Sequence, residues 1–188
     1  MKKIKGFDKV SAASDGFESL PAGGYVCRIE RCEERQNKSN SGSHLLIYFE
    51  VAEGEYKGFF ARDWDSQTKE DKYWHGVIRQ NVPDENSSKY EQQLRFFKRF
   101  VENIEASNEG YHWDWDETKL KGLLIGVVFG EVERESQRGT RYITTQADSV
   151  TDVETVRAGR AKIPAPRMLT VLPGASRTPV EQPRDLPF

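Results

Sequence analysis

Residues 17–35 read F-E-S-L-P-A-G-G-Y-V-C-R-I-E-R-C-E-E-R, residues 44–51 read H-L-L-I-Y-F-E-V, and residues 59–64 read F-F-A-R-D-W. Pro21, Gly23 and Gly24 break the chain and release it into an extended run. From there Tyr25, Cys27 and Ile29 alternate with Val26, Arg28 and Glu30, the period of two that marks a half-buried strand. Leu45, Ile47, Phe49 and Val51 alternate with Leu46, Tyr48 and Glu50 in the same way. In the third run Phe60, Arg62 and Trp64 oppose Phe59, Ala61 and Asp63. Three such runs with short connections predict an antiparallel meander. One face builds a core. The other is expected to carry Arg28, Tyr48, Phe60, Arg62 and Trp64, cations among flat rings, which suits a single-strand nucleic-acid platform.

The segments around this meander are less regular. The loop Gln36–Ser43 is small and polar and holds one cation, Lys38. It reads either as an ordinary hairpin connection or as a loop flanking a nucleic-acid groove. Residues 65–88 read as an irregular insertion with a short helical turn near 72–78. There Trp74 either stacks on a base beside Tyr73 or, the favoured reading, pins the insertion together with Ile78.

One helix is predicted after Ser88. Ser88-Lys89-Tyr90-Glu91 matches a capping box, and Tyr90, Leu94, Phe97, Val101 and Ile104 form a stripe widened by Phe96 and Phe100. Asn108 or Gly110 suits a left-handed cap at its end. Lys89, Arg95, Lys98 and Arg99 fall off the stripe and read as a solvated face. In Tyr111–Asp116, His112, Asp114 and Asp116 have no metal-ligand spacing, and the aspartates read better as turn caps.

Two more strands follow, Leu123 to Glu135 and Arg141 to Val150, with Gly126 and Gly130 suggesting a coiled strand or a bulge. Arg138, Arg141 and Tyr142 sit at the tip of this hairpin. The order is three strands, a helix, then two strands. It predicts a mainly β chain: a five-stranded OB-fold barrel over residues 17–150, with one helix between strands 3 and 4. From Thr151 to Phe188 six prolines punctuate a stretch with few large apolar residues, read as a disordered, Pro-rich tail.

Charge and cysteine usage limit the function. Lys+Arg number 28 against 30 Asp+Glu, a net charge of −2, so any nucleic-acid contact must come from a local patch. Lys2, Lys3, Lys5 and Lys9 lie in an N-terminal arm read as solvated. The N-terminus lacks the apolar stretch of a secretory signal, and no apolar run approaches the ~20 residues of a membrane span. Cys27 and Cys32, five apart on one strand, are expected to face opposite ways and stay unpaired, which fits a reducing cytoplasm.

The chain ends Asp185-Leu186-Pro187-Phe188, which resembles the hydrophobic-Pro-Phe tip of bacterial single-stranded-DNA-binding proteins. Leu20-Pro21-Ala22-Gly23-Gly24-Tyr25, Gly54-Glu55-Tyr56-Lys57-Gly58 and Leu120-Lys121-Gly122 are similar, in that order, to the turns of a phage-encoded family of OB-fold single-stranded-DNA-binding proteins. The resemblance covers roughly residues 17–150 and the extreme terminus. It implies a non-catalytic protein that coats single-stranded DNA in phage replication or recombination, in the cytoplasm of a bacterial host. It implies recruitment of replication or recombination proteins through Asp185, Leu186, Pro187 and Phe188, with self-association left open. No cofactor is expected. Glycine-rich phosphate loops, paired-His motifs and nucleophile elbows are absent from the sequence. The alternatives are a metal-dependent nuclease using Asp63, Asp65 and Asp114, or an OB protein-interaction module that does not touch nucleic acid.

Overall fold

The computed structural model describes residues 19–37, 42–68, 70–136 and 139–169. Five strands form one antiparallel sheet: β1 (Gly23–Gln36), β2 (Ser43–Val51), β3 (Val77–Asn81), β4 (Leu124–Glu135) and β5 (Arg141–Thr151). Among the described residues three α-helices accompany it, α1 (Phe59–Ser66), α2 (Tyr90–Ser107) and α3 (Val153–Arg157), with one 3-10 turn at Glu117–Leu120. The strand order is β3-β2-β1-β4-β5, and the sheet is open.

The long strand β1 holds the sheet together. Its first half, from Gly23 to Arg28, pairs with β4, and its second half, from Cys27 to Gln36, pairs with β2. Between Ile29 and Arg31 the register against β2 shifts by a bulge. One extra residue reverses the side-chain parity beyond it. Cys27, Ile29 and Cys32 therefore all face the core, which overturns the expectation that the two cysteines point to opposite faces. Both thiols are free.

The third strand lies elsewhere than the sequence suggested. Phe59–Ser66 is helix α1, with Phe59 and Phe60 both buried, and the strand is Val77–Asn81, inside the stretch read as an irregular insertion and beginning at the end of the expected helical turn. A contact from another strand explains the helix. The buried Glu50 carboxylate on β2 accepts the backbone N–H of Phe60 at 3.0 Å and of Ala61 at 2.6 Å. These are amides that a helix N-terminus leaves without intrahelical partners, and a carboxylate there also meets the favourable end of the helix dipole. Gly58, at φ 73°, makes the turn into the helix.

Trp74 fixes the start of β3. Its Nε1 donates to the carbonyls of Phe49 and Gly76, each at 3.1 Å, so it acts as a pin. Position 76 must be glycine because a Cβ there would lie 2.3 Å from the Phe49 carbonyl oxygen.

Helix α2 lies between β3 and β4, as expected, and buries Phe97, Phe100 and Ile104. Each contributes about 1.5–3 kcal/mol for full burial. The capping box does not form. Instead Gln93 reaches back, accepting from the Asp84 N–H and donating to the Ser87 hydroxyl. At the other end Asn108 clamps the helix to β4: its side chain donates to the Leu124 carbonyl and accepts the Leu124 N–H, both at 2.8 Å. Asn108 itself is extended, and the left-handed residue is Gly110.

Residues 151–169 pack onto the sheet, so the folded unit runs past the expected boundary at 150. Asp152 caps α3 by accepting from Thr155 N at 2.8 Å, and Val153 is buried. Arg167 then pairs in parallel with β4 through two backbone hydrogen bonds, to Glu131 and Glu133. Three glycines make room for this segment. A Cβ on Gly24 would come within 2.7 Å of Ala161, on Gly126 within 2.7 Å of Val156, and on Gly130 within 2.5 Å of Pro164. Close approach, not strand coiling, explains Gly126 and Gly130.

The edge strands β3 and β5 run parallel and face one another, with no ladder between them among the described residues. Among those residues no helix is long and apolar enough to cross a membrane.

Candidate nucleic-acid interface

Ile47, Phe49 and Cys32 point inward, so the residues alternating with them form the outer face of β1–β2–β3. Register places Arg31 opposite Tyr48, Glu33 opposite Leu46 and Arg35 opposite His44. On the other side of β2, Tyr48 faces Val77, Leu46 faces Arg79 and His44 faces Asn81. This face therefore holds three guanidinium groups, Arg31, Arg35 and Arg79, with Glu33 among them.

The geometry is specific. The Arg31 guanidinium carbon lies 4.2 Å from the centre of the Tyr48 ring. The Tyr48 hydroxyl donates to Glu33 at 3.0 Å, and Arg35 pairs with Glu33 at 2.5 Å. Burial pushes the Glu33 carboxyl up, but the Tyr48 hydrogen bond and the charges of Arg31 and Arg35 outweigh it and hold Glu33 below the usual carboxylate range. Asn37 accepts from Arg79 and shares a 2.8 Å hydrogen bond with His44 Nδ1. Desolvation first, then the charges of Arg79 and Arg35, push His44 below its ordinary value, so its ring is neutral at pH 7. A cleft of about 700 Å³ opens here, lined in part by Arg35, His44 and Arg79.

A second aromatic group lies around α1. The Trp64 and Trp74 ring centres are 6.1 Å apart, and Lys72 Nζ lies 5.6 Å from the Trp64 ring centre. Tyr73 and His75 are edge-on at 5.3 Å, and His75 meets Asp63 at 2.6 Å. With Tyr142, about half exposed, Tyr73 and His75 line a cleft of about 840 Å³ between α1 and β5.

The sequence-expected platform is thus divided. Tyr48 keeps its place on the sheet face. Trp64 and Arg62 are carried away on α1, where Arg62 donates to the Lys57 carbonyl at 2.6 Å. Phe60 is a core residue and has no face free for a base. Arg28 bonds Glu30 through two nitrogens, at 2.9 and 3.0 Å. Arg141 sits 3.8 Å from Glu133 and 3.9 Å from Glu135. Lys38, Arg138 and Asp185–Phe188 lie outside the described residues.

Sequence reading missed Arg31, Arg35, His44 and Arg79 as a group. The bulge that turns Arg31 outward leaves no trace in a period-two count. Arg79 was legible in V-I-R-Q-N, whose paired β-branched residues mark a short strand.

Among the described residues no three His, Cys, Asp or Glu side chains come together in a way that could hold a metal ion. Asp63, Asp65 and Asp114 therefore do not assemble into the cluster a metal nuclease would need. No protein-family model matches the sequence, and comparison with curated proteins finds no match.

Proposed function

We propose that this chain is a single-stranded-DNA-binding protein that holds its ligand on the outer face of β1–β2–β3. The observation that carries the reading is Arg31 lying over Tyr48, with Arg35 and Arg79 beside them. The exposed side of the Arg31 guanidinium offers a base a flat cation, and the tyrosine ring becomes available when the arginine swings to a phosphate. Stacking of this kind contributes ~1–3 kcal/mol per base and is tolerant of sequence, because every base has a ring face.

The reading includes an OB-type barrel. What supports it is the strand order β3-β2-β1-β4-β5 with parallel β3 and β5 facing each other, the order of an OB barrel cut between its third and fifth strands. In that fold the face of strands two and three is the nucleic-acid platform. The biological setting in this reading is phage DNA replication or recombination in a bacterial cytoplasm. The chain coats single strands without catalysis and recruits a partner through Asp185–Phe188. The Leu186-Pro187-Phe188 side chains suit an apolar pocket on such a partner.

A titration with labelled single-stranded DNA, RNA and duplex of matched length tests this function. Tight, salt-sensitive binding of single-stranded DNA supports it. A chain that binds none of the three is a protein-interaction module instead.

A further inference from the structure

Between the α2 side of β3 and the edge of β5 is a third cleft, of about 450 Å³. Its floor is apolar, built from Ile78, Phe100 and Val150. Its walls carry Arg79, Arg99 and Lys162. Among the described residues neither Arg99 nor Lys162 has an ion-pair partner. The lining acid is Asp148, which the register shift between β4 and β5 displaces from the ladder, and it already pairs with Arg167 at 3.3 Å. The cleft is therefore net positive. Phe96 stands at its rim, 57% exposed, on a helix whose other phenylalanines, Phe97 and Phe100, are buried. An exposed phenyl ring beside two unpaired cations suits a ligand with both flat rings and anionic groups.

Continuity suggests which ligand this is. Arg79 and Gln93 line this cleft and also the one beside Arg35 and His44. A chain lying across β1, β2 and β3 crosses about 10 Å of sheet at ~4.8 Å per strand and then meets Arg79 at the edge. The next groups beyond that edge are Phe96, Arg99 and Lys162. We propose that single-stranded DNA bound on the sheet face turns over the β3 edge into this cleft, where Phe96 stacks on a base and Arg99 and Lys162 contact phosphates. This second subsite rests on the proposed function and extends it. It gives the protein a footprint longer than the three-strand face. It also makes α2, whose cations read as a solvated surface in the sequence, part of the binding path.

The test compares oligothymidylates of about 5 and about 15 nucleotides, within the range of site sizes known for single OB folds. The full chain is titrated with each, alongside Phe96→Ala and a double Arg99→Ala, Lys162→Ala variant. Thermal unfolding confirms that these surface variants are folded. The subsite is supported if Phe96→Ala weakens the long oligomer roughly tenfold and the short one less than about twofold. The double variant is expected to lower the log–log salt slope for the long oligomer by about 1.4, at ~0.7 per phosphate. Unchanged affinity at both lengths, or equal losses at both, overturns the subsite while leaving DNA binding on the sheet face intact. Failure of the unaltered chain to bind either oligomer overturns the function and the subsite together. Oligouridylates of the same lengths run in parallel, since phosphate and base are common to both polymers. Length-dependent loss confined to uridylate would overturn the assignment to DNA.

Discussion

The Glu50 carboxylate on β2 accepts the backbone N–H of Phe60 at 3.0 Å, so a strand residue caps the helix that begins nine residues later. The same carboxylate takes the Val51 and Ala61 amides, at 2.8 and 2.6 Å. Removing it strands buried donors, at about 1–3 kcal/mol. Glu50→Ala should lower the unfolding free energy measured in urea by that amount and fray α1. Glu50→Gln, which keeps one acceptor, should lose less. An alanine variant with the parent's midpoint would mean that α1 does not depend on this cap.

The glycine track makes a second expectation. Gly126→Ala sets a methyl 2.7 Å from Val156 and 2.9 Å from the Asp152 carbonyl oxygen, and neither neighbour is a flexible tip. Overpacking of this kind costs about 1–3 kcal/mol. Limited proteolysis should then cut after Arg157 or Arg160 in the variant before it cuts the parent. Equal cleavage rates would show that residues 152–164 do not rely on close approach to β4.

These sites show where the sequence was legible. Strands β1, β2, β4 and β5 and helix α2 follow from local alternation and periodicity, because each buries a face against one core. Residues 59–64 alternate too, but a carboxylate nine residues upstream makes them helix. A period count cannot see such a contact. Trp74 was legible as an anchor because an aromatic ring in a polar loop more often pins the loop than stacks on a ligand. Arg31 was not legible as a partner of Tyr48, since one bulged residue decides its face. Val153, Val156 and Pro164 looked too sparse for a core, yet they fill space that Gly24, Gly126 and Gly130 leave open.

Thiol chemistry provides a third check. Desolvation, with the Glu50 charge second, pushes the Cys27 thiol far up, and desolvation, with the Glu117 charge second, pushes Cys32 up to about 12. Little thiolate exists at neutral pH, so both cysteines should react slowly with a disulfide reagent until the chain unfolds. Two free thiols should appear in denaturant. Fast native reaction of either one would contradict the inward orientation that the bulge imposes.

The fourth expectation concerns pH. His44 is held below its ordinary value of ~6.5. Below that value the unfolded chain takes up the proton first, so this contribution is full at neutral pH and declines as pH falls toward the folded value. Glu33, Glu53 and Asp152 are also held low, and their contributions disappear only at more acidic pH, below the ordinary carboxylate range. His44→Gln should therefore flatten the loss of thermal stability just below pH 6.5 and leave the acid limb unchanged. An unaltered upper limb would assign that titration to another group.

The central claim is that the Arg31–Tyr48 face binds single-stranded DNA, and one salt titration tests it most directly. Fluorescence anisotropy of a labelled oligothymidylate is measured over a range of salt for the parent and for a triple Arg31→Ala, Arg35→Ala, Arg79→Ala variant shown to be folded. The parent should bind and lose affinity with salt, and the variant's log–log slope should be shallower by about 2, at ~0.7 for each phosphate contact removed. A folded variant with the parent's affinity and slope would contradict the claim.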